Sequence, residues 1–150
     1  MLPEEKSALS AHRFDRAKEC LAAAKLLSAH EATMSSALNR TYYAVFHAMR
    51  AVLALDGIDM KHHSGIISEF RKRYIKTGIF DRELSVIISR QFDNRTGSDY
   101  DDFYIIVKKD VYESLSDAGQ FLDAVEGYLT GAGVRLSAKS ASAAENEEKM

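Results

Sequence analysis

The stretch LNRTYYAVFHAMRAVLAL, residues 38–55, is apolar on nearly every side of a helical wheel. One side collects Leu38, Tyr42, Val45, Phe46, Met49, Val52 and Leu53. The other is built from Ala44, Ala51 and Ala54 and is interrupted by Arg40, Tyr43 and His47. A helix that needs cover on both faces belongs in the middle of a bundle. Its alanines let a second helix approach closely, and the three polar side chains must then find partners or line a cleft. The stretch is therefore expected to be a central helix with a half-buried polar stripe.

The rest of the composition agrees with that frame. The one proline stands at position 3, so nothing of its kind breaks a helix further in. A chain of 150 residues fits one domain with a real core. A net charge of −2 gives no global basic field for nonspecific nucleic-acid binding, and leaves room only for a local basic cluster. The lone Cys20 excludes an intrachain disulfide and fits a reducing compartment. The charged start MLPEEKSALS lacks the apolar segment of a signal peptide. Arg40, His47 and Arg50 interrupt the longest apolar stretches, so no membrane span is expected. The expectation is an all-α, cytoplasmic domain.

Along the chain, Pro3-Glu4-Glu5 opens a first helix that Phe14, Ala17, Cys20, Leu21, Ala24 and Leu27 carry to about Ala29. Thr33 or Ser35 can cap the central helix, and Gly57 ends it. A third helix runs from His63-Ser64 to Gly78 with Ile66, Ile67, Phe70 and Tyr74 inward and Arg71, Lys72, Arg73 and Lys76 outward. Asp81 caps a fourth, whose apolar stripe is Leu84, Ile87, Ile88 and Phe92, and which leaves at Gly97 through Ser98–Asp102. Residues 103–107 read as an extended connector or an early helical turn. A fifth helix covers about Lys109 to Leu129. Residues 130–150 have few large apolar side chains and no period, and read as a disordered tail beyond a domain of residues 1–129.

Measured from Leu84, Arg95 falls at about 20° and Gln91 at about −20° on the fourth helix, so both point to the core side. An arginine there cannot shed its charge and needs a carboxylate, carbonyls or an anionic ligand. Asp99, at i+4, is a purely local partner, worth about 0.3–0.5 kcal/mol in the better orientation and less in this one. The adjacent His62 and His63 point different ways, with no cysteine or i+4 histidine to complete a metal set. No phosphate-binding glycine loop, nucleophile elbow or HExxH occurs, and no cofactor or metal is expected.

Four segments in order, NRTYYAVFHAMRAVL, KHHSGIISEFRKRYIKTG, NRTGSDYDDF and DAGQFLDAVEGYL, give a chain that resembles the HEPN domain family over about residues 10–129. The resemblance implies an up-and-down bundle of about five helices that forms a homodimer. It also implies a nucleotidyltransferase-fold partner protein within a toxin–antitoxin or defence pair. Active members of the family are metal-independent endoribonucleases with an Arg-x4–6-His motif. In them a ribose 2′-hydroxyl attacks the adjacent phosphate, while arginine stabilises phosphoryl charge and histidine moves protons.

On this chain the motif arginine maps to Arg95, but the position five residues later is Tyr100, a poor base at neutral pH. Arg40 to His47 has an Arg-x6-His spacing on a different helix. A tyrosine that partners of some relatives modify with AMP maps to Asp102, with Tyr100 and Tyr104 nearby. The resulting expectation places Arg95, Asp99, Tyr100 and His47 at a catalytic centre. Arg40, Tyr43 and His63 would line the RNA or nucleotide cleft. The alternative is a non-catalytic module that pairs with the nucleotidyltransferase-fold protein, and a third reading is a plain helical dimer.

Overall fold

The computed structural model describes residues 2–100 and 106–137, and the side chains of residues 98–100 lie outside that description. Among the described residues all regular structure is helical: α1 (Pro3–Leu27), α2 (Met34–Ala54), α3 (His63–Phe70), α4 (Arg82–Tyr100) and α5 (Lys108–Gly131). The chain folds as an all-α bundle with α2 at its centre.

Helices α1 and α2 form an antiparallel hairpin through a short 3-10 turn, Glu31–Thr33. Thr33 caps nothing with its side chain; its hydroxyl instead donates to the Leu27 carbonyl, 2.6 Å away, and ties the two helix ends together. At the far end Arg13 on α1 donates to the Arg50 carbonyl on α2. Small residues make the close approach: Ala17 and Ala24 on α1 and Ala37, Ala44, Ala48 and Ala51 on α2 are completely buried. All seven residues of the expected core face of α2, from Leu38 to Leu53, are buried as well. Gly57, with φ +72°, makes the left-handed turn that stops the chain after α2.

The third helix departs from the simple reading. Its α-helical part spans only eight residues, and a wider π-helical turn, Arg71–Ile75, carries the chain on to Gly78 at φ +81°. Ile66, Ile67, Phe70 and Tyr74 all face inward as expected. The supposed outer face is not wholly free. Arg71 reaches across to Ser85 and Ser89 on α4, and Arg73 pairs with Glu69. The Tyr74 hydroxyl donates to Asp56 at 2.6 Å, which locks this turn to the end of α2.

On α4 two expectations fail. The helix runs through Gly97 to Tyr100 instead of leaving there; one interior glycine costs only about 1 kcal/mol against alanine, which packing outweighs. Phe92 is 43% exposed, because it stands about 80° round the helix from Leu84. The buried side of α4 is Leu84, Ile87, Ile88 and Gln91, with the Gln91 amide donating to the Ser114 carbonyl of α5.

Ile106 and Val107 are not helical, and residues 101–105 of the connector lie outside the described residues. After α5 ends at Gly131, Val134 is buried and the Ser137 carbonyl accepts from Lys18. Residues 138–150 of the expected tail lie outside the described residues. Among the described residues no helix is long and apolar enough to cross a membrane.

Candidate functional site

Two neighbouring tyrosines of α2 form the floor of the site. Tyr42 is on the core face, 2% exposed, and Tyr43 stands beside it with its ring edge-on at 5.3 Å between centroids. Burial of a tyrosine ring leaves its hydroxyl in need of a partner. Tyr42 finds one in His63, at the start of α3, with 3.0 Å between the hydroxyl and Nδ1. The imidazole also packs on Phe46, 4.1 Å between ring centroids. Helix α4 then supplies Arg95, whose guanidinium carbon lies 4.9 Å from the Tyr42 ring centroid and 5.5 Å from that of Tyr43. A guanidinium over aromatic faces is held by the ring quadrupole without losing its charge. Arg40 comes to the Tyr43 ring from within α2, at 5.0 Å.

The structure thus brings Arg95, His63 and Arg40 together from three helices around the Tyr43 ring, with Tyr42 supporting Arg95 and His63 from below. Periodicity placed Tyr42 in the core without its second role. The sign it offered was a tyrosine where phenylalanine would pack equally well. Asp99 and Tyr100 belong to the last turn of α4, but their side chains lie outside the described residues.

Electrostatics set the protonation of this group. Burial, and then the positive charges of Arg95 and Arg50, hold His63 below the usual histidine value. It is therefore neutral at pH 7, with one ring nitrogen free to accept a proton. Burial also pushes the Tyr42 hydroxyl up, against the opposing charge of Arg95, so it stays protonated.

His47 sits one turn along α2 from Tyr43, with ring centroids 6.1 Å apart, on the side facing α1. Its Nδ1 is covered and has no hydrogen-bond partner among the described residues. Burial first, then the charges of Arg50, Arg16, Arg40 and Arg13, push it down to about 4. Two of those arginines come from α1, which sequence reasoning did not connect with the stripe. Asp59 bridges Arg13 at 3.2 Å and Arg50 at 3.4 Å, offsetting part of this charge. A chain of net charge −2 thus gathers four arginines around one imidazole, beside the Arg95 site.

The sign of the His47 shift gives a stability expectation. The unfolded chain takes up the proton near pH 6.5 and the folded one only near pH 4, so stability falls as pH drops through that window. Because the group is only half-buried, screening reduces the effect to about 1–2 kcal/mol. His47→Gln is expected to flatten the denaturation midpoint between pH 6.5 and 4 relative to wild type, and superimposable curves would contradict the placement.

A sequence model of the HEPN domain matches residues 10–128. This chain belongs to the HEPN domain family. A UPF0332 protein of Thermotoga maritima is 38% identical over 111 residues, which is 74% of this chain and 83% of the relative. Two proteins of Methanocaldococcus jannaschii, each named "Putative toxin", are 37% and 32% identical over 62% and 56% of this chain. The matches span 63% and 62% of those two proteins' own lengths, a little under two thirds. The segments of α2, α3 and α4 that carry the site all fall inside the HEPN match.

Proposed function

We propose that this HEPN protein is a toxin-type RNA-binding protein of a toxin–antitoxin or defence pair, a homodimer that cleaves RNA without a metal. The observation that carries the reading is the Arg95 guanidinium laid over Tyr42 and Tyr43, next to a neutral His63 bonded to Tyr42. The relatives named as toxins support the biological setting. Arg95 stabilises the charge that develops on the phosphoryl oxygens as the ribose 2′-oxygen attacks phosphorus and the 5′-oxygen leaves. In the tautomer whose Nδ1–H donates to Tyr42, the Nε2 of His63 holds the lone pair that takes the 2′-hydroxyl proton, and the departing 5′-oxygen takes its proton from water. Arg40, over the Tyr43 ring, holds a neighbouring phosphate. His63 then does the work that the Tyr100 position performs as histidine in active relatives.

A second reading has one specific feature in its favour: Tyr100 at that position. Under it the chain binds its nucleotidyltransferase-fold partner, or a nucleotide, and cuts nothing.

The two are separated by incubating the full chain and Arg95→Ala with tRNA and mRNA in EDTA and resolving products on a gel. Cleavage by wild type and its loss in Arg95→Ala is the expected result. Equal cutting by both removes Arg95 from its role, and RNA retained intact by wild type selects the binding module.

A further inference from the structure

We propose that the cleft between α3 and α4 is a nucleobase pocket that holds an unpaired guanine of the bound RNA beside Arg95. The inference rests on the RNA-binding reading and adds which base the protein selects. The cleft has a volume of about 510 Å³, within the range of small-ligand sites. Its floor is Ile67 from α3 and Ile88 from α4, both buried. One wall is Phe92, an exposed aromatic ring that the core does not cover. Such rings are where unpaired bases stack, because every base has a π-face.

Two opposite charges line the same cleft, Arg71 and Asp93. Arg71 is a fixed cation: its Nη2 donates to the Ser89 hydroxyl at 2.7 Å and to the Ser85 carbonyl at 3.1 Å. Asp93 is exposed. A carboxylate acceptor and a held guanidinium donor in one cleft with a stacking ring complement guanine in particular. Guanine presents N1–H and the 2-amino group to an acceptor, and O6 and N7 to a donor. Adenine has no N1–H, and the pyrimidines lack the second ring and its N7.

The cleft adjoins the proposed phosphate site through Phe92 and Ser64. Phe92 lies against Tyr42, 6.3 Å between ring centroids, and Arg95 covers that same Tyr42 ring. Phe92 and Arg95 are one helical turn apart on α4, and Ser64 of the cleft directly follows His63. A base stacked on Phe92 would direct its sugar and phosphate toward Arg95 and His63.

The test is fluorescence anisotropy of the full chain with five-nucleotide uridine-rich RNAs whose central base is G, A, C or U, at one fixed salt concentration. The G-centred RNA is expected to bind wild type about tenfold more tightly than the others. Asp93→Asn should bring all four to a common affinity, and Phe92→Ala should weaken the G-centred RNA about tenfold or more. Both side chains are exposed, so neither change threatens the fold. Arg95→Ala should weaken all four RNAs alike and keep their order.

Equal binding of the four RNAs by wild type would overturn the pocket. So would a guanine preference that survives both Asp93→Asn and Phe92→Ala, and in either case an Arg95-dependent affinity leaves the phosphate reading standing. If no RNA binds wild type, both readings fall together. A Phe92→Ala protein that changes from dimer to monomer in sedimentation and loses every RNA would assign the cleft to a second copy of the chain, and would also overturn the pocket.

Discussion

His63→Ala is expected to slow RNA cleavage at pH 7 by about 10²–10⁴-fold, the usual contribution of a positioned acid or base. It should also cost about 1–3 kcal/mol of stability, because the buried Tyr42 hydroxyl loses its partner. The pH profile distinguishes a proton carrier from a mere structural contact. Burial, Arg95 and Arg50 all favour the neutral imidazole, so the wild-type rate should climb with pH below 6.5 and be level above it. Arg95→Gln removes one of those charges, so the residual activity should show its acid limb displaced upward, toward 6.5. Tyr42→Phe keeps the buried ring but deletes the oxygen that orients Nδ1, and a smaller loss of rate is expected. Single-turnover cleavage of end-labelled RNA across the acid-to-neutral range measures all three. A wild-type limb centred above pH 6.5, or a His63→Ala protein as fast as wild type, would remove His63 from the chemistry.

How much of this was legible in the sequence depends on whether the information was local. Helix α2 was readable because a 3.6-residue period is a property of neighbouring positions, and every residue on its predicted core face is buried. The same period turned Arg95 away from solvent. It could not say that the guanidinium would lie over Tyr42 and Tyr43, residues far away along the chain. The side chain of the local alternative, Asp99, lies outside the described residues. The His63–Tyr42 bond spans 21 positions, and its one sequence trace is a hydroxyl on a core face. Phe92 has the hydrophobicity of the stripe but not its angle: at the edge it borders a cleft instead of filling the core. The arginine cluster leaves no local trace in the sequence for a different reason. Arg13 and Arg16 belong to α1 while Arg40 and Arg50 belong to α2, and only the antiparallel pairing of the two helices concentrates a charge that the whole-chain balance hides.

Phe70→Ala is expected to cost about 3–5 kcal/mol of stability, the range for truncating a fully buried phenylalanine. Phe70 has no exposed surface and joins four segments of chain. Its ring lies 5.7 Å from Tyr74, 5.6 Å from Phe80 and 5.7 Å from Phe121 on α5, centroid to centroid. For a domain of this size that is a fall of about 6–20 °C in melting temperature, read by far-ultraviolet circular dichroism. The loss should reach the functional site as well. An eight-residue helix has no independent stability in water, so α3 is held in place by Ile66, Ile67 and Phe70. Freeing its C-terminal end loosens the His63 end, and the hydrogen bond to Tyr42 should be among the first interactions to break. Phe70→Leu retains most of the volume and should cost much less. Phe92→Ala, at an exposed ring on the neighbouring helix, should hardly move the melting temperature. If Phe70→Ala melts within about 2 °C of wild type, less than a single kcal/mol is worth in a domain of this size, then α3 is anchored by something other than this aromatic cluster, and the core and the site are not coupled through it.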